Sequence, residues 1–200
     1  MTISNRVLNS ERAYVFPDAL TASVSSFDDL LSREDLHLLY VSLASAPYRA
    51  WRIADPSKLN GNVSVPCDYL QAELDCNDFM GNKLYPLFRE IAEHKLGVRR
   101  VKLSRVFANV FQYGDTVYPH EDYVEEGESV SILLFANEVW EKDWGGETYF
   151  YDGAVDAKYC IGVKPGRIIA FGSKNIHRPG VPSRTCREVR ITLNVRFNTW

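Results

Sequence analysis

Six runs of strand length crowd the second hundred residues, and they limit the possible folds more than any other feature of the chain. Val101–Tyr113, Ser129–Phe135, Glu147–Tyr151, Tyr159–Val163, Arg167–Phe171 and Glu188–Phe197 are rich in Val, Ile, Thr, Phe and Tyr. Such side chains fit a pleated, half-buried surface. Turn signals part the runs: Tyr113-Gly114-Asp115, Trp144-Gly145-Gly146, Asp152-Gly153 and Lys164-Pro165-Gly166. Short strands at this spacing predict an antiparallel sandwich or jelly-roll barrel. The Lys-Pro-Gly-Arg sequence reads as a hairpin turn, with Pro fixing φ and Gly taking a positive φ.

The first hundred residues read differently. Tyr14–Phe16 resembles a short strand stopped by Pro17. Ser32 is placed to cap a helix in which Leu36, Leu39, Tyr40 and Leu43 recur at helical spacing. A second helix is expected from about Cys76 to Leu96, with Phe79, Leu84, Leu87, Phe88 and Ile91 as its apolar face and Gly97 as its stop. Pro86 marks either a kink or the real first turn. No repeat or linker divides the chain, so one domain over 1–200 is expected. Its helical and strand support region covers about 1–100 and its β core about 101–200. The predicted fold is mainly β with flanking α, the helices supporting one sheet.

With 200 residues the chain buries roughly 70% of its unfolded surface, so neither disulfides nor a structural metal are needed for stability. The four cysteines, Cys67, Cys76, Cys160 and Cys186, are far apart and read as reduced, buried thiols. A formal net charge of −3 with scattered Lys and Arg gives no nucleic-acid surface. No segment has the length and apolarity of a membrane span or secretion signal, so a cytoplasmic protein is expected. Nothing in the sequence sets the oligomeric state.

The chain has four histidines. His37 and His94 sit in the expected helices and read as structural or surface residues. His120 and His177 lie where strands meet loops in the β-rich half. In the run Tyr118-Pro-His-Glu-Asp-Tyr123, His120 and Asp122 share one side of an extended segment and Glu121 faces away. If these loops share one end of a barrel, His120, Asp122 and His177 converge. Two imidazoles and a carboxylate on one face suit a non-haem iron(II) oxygenase centre, and zinc hydrolases use the same donors. Alone, the tripeptide fits a solvated turn as well as a metal site.

Several further motifs follow in a fixed order: Ala136-Asn137, Trp140, Gly145-Gly146-Glu147-Thr148-Tyr149-Phe150, Pro165-Gly166-Arg167, Phe171, His177 and Arg190. In this order they resemble the 2-oxoglutarate- and iron(II)-dependent dioxygenases of the prolyl 4-hydroxylase-like superfamily, over about residues 101–197. The resemblance implies a double-stranded β-helix, or jelly-roll, of cupin-like form. It also implies iron(II) on His120, Asp122 and His177, with 2-oxoglutarate and dioxygen as cosubstrates. A guanidinium is the natural partner for the far carboxylate of 2-oxoglutarate. Arg187 and Arg190 fall on opposite faces of one strand, and the alternating apolar residues after Arg190 favour it. Many relatives place a tyrosine hydroxyl beside that carboxylate, where this chain has Phe135. Tyr113 is the expected replacement, and Thr192, on the same face as Arg190, is a second helper.

The implied reaction is hydroxylation of an unactivated C–H, with 2-oxoglutarate converted to succinate and carbon dioxide. No further acid or base residue is required. Asp122 argues against halogenation, because related halogenases leave that position without a carboxylate; desaturation, epimerisation and ring formation remain open. The acidic loop Glu121–Glu128 reads as solvated. With no peptide-binding module in evidence, a small-molecule or amino-acid-like substrate is favoured over prolyl or other residues in a protein. A non-catalytic metal-binding β-helix domain is the remaining alternative.

Overall fold

The computed structural model describes residues 3–15, 23–52, 68–122, 127–152 and 156–199. Two sheets form its core. The larger has eight strands in the order β1-β2-β9-β6-β11-β5-β4-β3, all paired antiparallel. Its members are β1 (Glu11–Val15), β2 (Ser23–Phe27), β3 (Arg49–Arg52), β4 (Asp68–Leu74), β5 (Val101–Phe111), β6 (Ser129–Phe135), β9 (Ile168–Gly172) and β11 (Arg190–Thr199). The smaller sheet is β10-β7-β8, built from β7 (Thr148–Asp152), β8 (Asp156–Ile161) and β10 (His177–Pro179). Together they make the predicted jelly-roll.

Period-two alternation decides which face of the large sheet meets what. On β11, Ile191, Leu193, Val195 and Phe197 join Val106, Ala108 and Val110 of β5 and Val130, Ile132 and Leu134 of β6 in one apolar layer. Helix α4 (Tyr85–Leu96) covers that layer with Phe88, Ile91 and Ala92, all fully buried. Burying the Phe and Ile side chains contributes roughly 1.5–3 kcal/mol each. The residues between, Arg190, Thr192, Asn194 and Arg196 on β11 and Arg105, Phe107, Asn109 and Phe111 on β5, face a cavity on the other side. A second apolar cluster, with Phe135, Phe150, Ile161, Ile169 and Phe171, closes the space between the two sheets.

The N-terminal half departs from expectation. It adds four strands to the large sheet as well as helices α1 (Ile3–Ser10), α2 (Arg33–Ala44) and α3 (Cys76–Met80). The reason is tertiary: β2 reads Ser-Val-Ser-Ser-Phe, a weak strand signal, yet pairing with β1 and β9 buries Ser25 and Ser26. Ser32 caps α2 as expected, accepting from the Asp35 backbone N–H. The single helix expected over 76–96 is two, α3 and α4, with Gly81 ending the first and Pro86 in the first turn of the second.

The turn at Lys164–Arg167 is not a hairpin. β8 pairs with β7 and β9 with β6 and β2, so this turn carries the chain from one sheet to the other. Arg167 secures it, donating from Nε and Nη2 to Asp28 at 2.7 and 3.0 Å and from Nη1 to the Gly162 carbonyl. The cysteines are also less buried than expected: Cys76, Cys160 and Cys186 are free, Cys160 is exposed and the other two are half-buried. Cys67 and Phe16 lie outside the described residues. Among the described residues no helix is long and apolar enough to cross a membrane.

Candidate metal centre and cosubstrate pocket

His120 and His177 are brought face to face by backbone pairing. Each donates its N–H to the other's carbonyl at 2.9 Å, and the ring centroids lie 4.5 Å apart. Asp122 follows two residues after His120, and its N–H donates to the Ser173 carbonyl at 2.8 Å. The potential ligand atoms of His120, Asp122 and His177 all lie within 4.8 Å of one another. The three side chains therefore converge as the sequence predicted.

Their protonation states suit a cation. Nδ1 of His120 sits 2.8 Å from the Tyr118 carbonyl and Nδ1 of His177 is 2.9 Å from the Asn175 carbonyl. A carbonyl only accepts, so each Nδ1 carries a hydrogen and Nε2 is the nitrogen left to face a metal. Burial pushes the His177 imidazole down to about 4, so it is neutral at pH 7. Burial pushes the Asp122 carboxyl up, but His177, Arg196, His120 and Ser131 together outweigh that and hold it below the ordinary carboxylate range. Its Oδ1 accepts from Arg196 and its Oδ2 from the Ser131 hydroxyl, which also pairs with Ser173 at 3.0 Å. Two imidazoles with Nδ1–H spent on carbonyls and a carboxylate, without a thiolate, form a donor set that fits iron(II).

The same cavity, of about 200 Å³, reaches from this cluster to Arg190. Arg190 is fully buried, with its guanidinium 4.9 Å from the Phe135 ring centroid and 5.4 Å from that of Phe111. Its Nε donates to the Gly146 carbonyl at 2.7 Å and its Nη2 to the Thr148 hydroxyl at 3.2 Å, but Nη1 is buried without a partner. Burial pushes this guanidinium down to about 9, partly offset by Glu147, so it remains cationic at pH 7. Among the described residues no carboxylate hydrogen-bonds to it. A buried cation with a spare donor, lining a cavity, fits an anionic ligand.

Residues 107–198 match the family model described as the 2OG-Fe(II) oxygenase superfamily. The jelly-roll half of this chain carries the match to that superfamily. Its members use Fe(II), 2-oxoglutarate and dioxygen, and the chain is accordingly an oxidoreductase of the dioxygenase class. No curated protein matches the chain by sequence. Among solved structures, EvdO2 from Micromonospora carbonacea var. aurantiaca, complexed with 2-oxoglutarate, aligns at 13% identity and a TM-score of 0.64, covering 95% of this chain and 94% of that one. A prolyl hydroxylase from Trichoplax adhaerens, bound to a hypoxia inducible factor peptide fragment, aligns at 16% identity and 0.61, covering 98% and 89%. The viral collagen prolyl hydroxylase of Paramecium Bursaria Chlorella virus-1 aligns at 16% and 0.59, covering 88% and 96%. These likenesses concern the fold.

The motifs around Arg190 have structural work to do. Buried Asn137 accepts from the Ile191 N–H and donates to the Val189 carbonyl, both at 2.8 Å, so it clamps the backbone on either side of Arg190. Gly146, at φ 82°, lets its carbonyl reach Arg190. A Cβ there would come within 3.1 Å of Arg190 Cδ and 3.0 Å of Trp140 Cζ2. Gly146→Ala is expected to destabilise the fold by roughly 1–3 kcal/mol through left-handed strain and overpacking. Denaturant unfolding of the variant beside the wild type measures the loss.

Two expected helpers fare differently. Thr192 is fully buried and lines the cavity beside Arg190. Tyr113 does not belong to the site: β5 ends at Phe111, and the turn that follows leaves Tyr113 64% exposed and off the cavity wall. The tyrosines on that wall are Tyr69 and Tyr118. Tyr69 was not anticipated because it arrives on β4, whose pairing with β5 is a tertiary event. Arg187 is exposed, and Arg190 alone of the pair faces the cavity. His37 and His94 lie elsewhere, pairing with Glu138 at 3.0 Å and Glu11 at 2.8 Å. Glu121, expected to face away, is exposed but lines the same cavity as His120 and Asp122, and residues 123–126 of the acidic loop lie outside the described residues.

Proposed function

We propose that His120, Asp122 and His177 hold iron(II), that Arg190 anchors 2-oxoglutarate, and that the enzyme hydroxylates an unactivated C–H of a small-molecule or amino-acid-like substrate. The observation that carries this reading is the buried Arg190 with its unpartnered Nη1 in the same cavity as the three convergent donors. Bound there, iron(II) would let dioxygen and 2-oxoglutarate react to succinate and carbon dioxide, one oxygen atom passing into the substrate C–H as a hydroxyl.

The chain's own residues do the positioning. The backbone pairing of His120 with His177 sets both rings, and their Nδ1–H bonds to carbonyls keep Nε2 turned inward. Ser131 and Arg196 orient the Asp122 carboxylate. Phe111 and Phe135 shield the Arg190 guanidinium from water and so strengthen its hold on an anion. Gln71, Asn109 and Asn194 give the cavity a polar wall suited to a small, hydrogen-bonding substrate.

Mixing the purified protein with iron(II) and 2-oxoglutarate under anaerobic conditions should produce the weak visible charge-transfer band of the chelate. Adding dioxygen should then release succinate. Absence of the band would sink the oxygenase reading for this chain. Arg190→Ala should raise the 2-oxoglutarate requirement strongly and Arg187→Ala hardly at all; the reverse result would move the anchor to Arg187.

A further inference from the structure

The cavity contains a second buried arginine that the iron and 2-oxoglutarate reading does not employ as a ligand. Arg196 stands on β11 on the same face as Arg190. Its Nη2 donates to Asp122 Oδ1, its guanidinium lies 5.4 Å from the Phe107 ring centroid, and its Nε is buried without a partner. A buried N–H that lacks an acceptor is costly to the fold, and its persistence on a cavity wall points to a ligand.

Charge balance says what kind of ligand. Iron(II) and Arg190 are matched in full by Asp122 and doubly charged 2-oxoglutarate. Arg196 leans on the one carboxylate that the metal would engage. The other acidic side chain on the wall, Glu121, is exposed and makes no ion pair with it, so Arg196 is left as a buried cation without an anion of its own. The other arginine on the wall, Arg105, is already committed, with Nε and Nη2 on the Glu73 carboxylate and Nη2 also on Gln71 Oε1 at 3.0 Å. Nε and Nη2 of Arg196 share one edge of the guanidinium, and a planar carboxylate accepts from both in parallel. A neutral hydroxyl or amide would leave the charge uncompensated.

We infer that Arg196 binds a carboxylate of the primary substrate, which is therefore a small organic acid. This rests on the proposed iron and 2-oxoglutarate site. Because Arg196 touches Asp122, a carboxylate held there places the carbons next to it beside the metal cluster. The reacting C–H then lies close to the acid group. Gln71 and Asn109, themselves bonded at 2.9 Å, and Asn194 meet the substrate's remaining polar groups.

The test uses the anaerobic complex of the protein with iron(II) and 2-oxoglutarate. Its probes are the common L-amino acids and their N-acetyl forms, each beside its carboxamide. Calorimetric titration and displacement of the visible chelate band read binding without turnover. At least one acid should bind, with its carboxamide weaker by roughly tenfold or more. Arg196→Gln should abolish that preference and Arg196→Lys should keep part of it, each variant being titrated at iron(II) and 2-oxoglutarate concentrations raised until its chelate band is restored. Equal binding of acid and carboxamide, no binding by any acid, or unchanged preference in Arg196→Gln would each overturn the inference. A band that no concentration of iron(II) restores in either variant would overturn it too, since Arg196 would then serve only to hold Asp122. A wild-type protein without the band would overturn the iron reading beneath it, which keeps the two failures distinct.

Discussion

Arg190→Met is expected to abolish 2-oxoglutarate binding without reducing the stability of the ligand-free protein. The two halves of this result have one cause. Arg190 is a fully buried cation held by a carbonyl and a hydroxyl, with Nη1 unpaired and no hydrogen-bonded carboxylate among the described residues. Taking such a charge out of water costs several kcal/mol, and an apolar side chain of similar volume in its place is often neutral or stabilising. Phe111 and Phe135 offer methionine a suitable lining. The cost is recovered only when an anion arrives. In the wild type, 2-oxoglutarate at a hundredfold excess over its Kd should stabilise the fold by ~2.7 kcal/mol. For a chain of this size that raises Tm by roughly 5–10 °C. The variant should show no such rise at the same concentration. A thermal scan with and without 2-oxoglutarate, in the presence of a redox-inert divalent metal, measures both halves. A ligand-dependent rise that survives in Arg190→Met would remove Arg190 from the pocket.

The second large effect is expected at His177. His177→Ala should weaken iron(II) binding by more than the roughly 10–100-fold that loss of an outer partner of a metal ligand costs. Ser131→Ala, which removes only the hydroxyl on Asp122 Oδ2, should stay within that range. The contrast separates a direct donor from a residue that orients one. His177 is well placed to be the donor because burial keeps it neutral at pH 7 and its Nδ1–H is spent on the Asn175 carbonyl. Its backbone bonds to His120 do not depend on the side chain, so the loop should survive the substitution. Equilibrium dialysis against iron(II) under argon gives the affinities, and circular dichroism confirms that the fold persists. Equal losses in the two variants would mean that the imidazole is not a ligand.

The conserved chemistry of a strand explains why half of this molecule was readable in advance. β5, β6, β9 and β11 carry β-branched and aromatic residues at period two, and each appears within a few residues of its expected place. The same periodicity put Arg190 and Thr192 on one face, whereas Arg187 precedes the strand and Glu121, expected to face away, lines the cavity beside His120 and Asp122. The shared face of Arg190 and Thr192 is a local fact, set by the backbone geometry of an extended chain.

Tyr113 shows the limit of that reasoning. Continuing the alternation of β5 would have aimed it inward, but the strand stops at Phe111 and the turn rotates the next residues into solvent. β2 and β4 have weak local signals and become strands because neighbouring strands accept their hydrogen bonds. With β4 come Tyr69 and Gln71, which no spacing rule ties to His120. Asn137 looked like the end of a strand and proves to be the clamp on Arg190, fifty-odd residues away.

The sequence by itself determined the strands of the β-rich half and the face shared by Arg190 and Thr192, because residue type and period two suffice for those. Only the tertiary structure decided what lies opposite the donors: the partnerless Nη1 of Arg190 and the Arg196 guanidinium against Asp122. Burial and missing partners are properties of packed neighbours. They come into being only when strands far apart in the chain share one sheet.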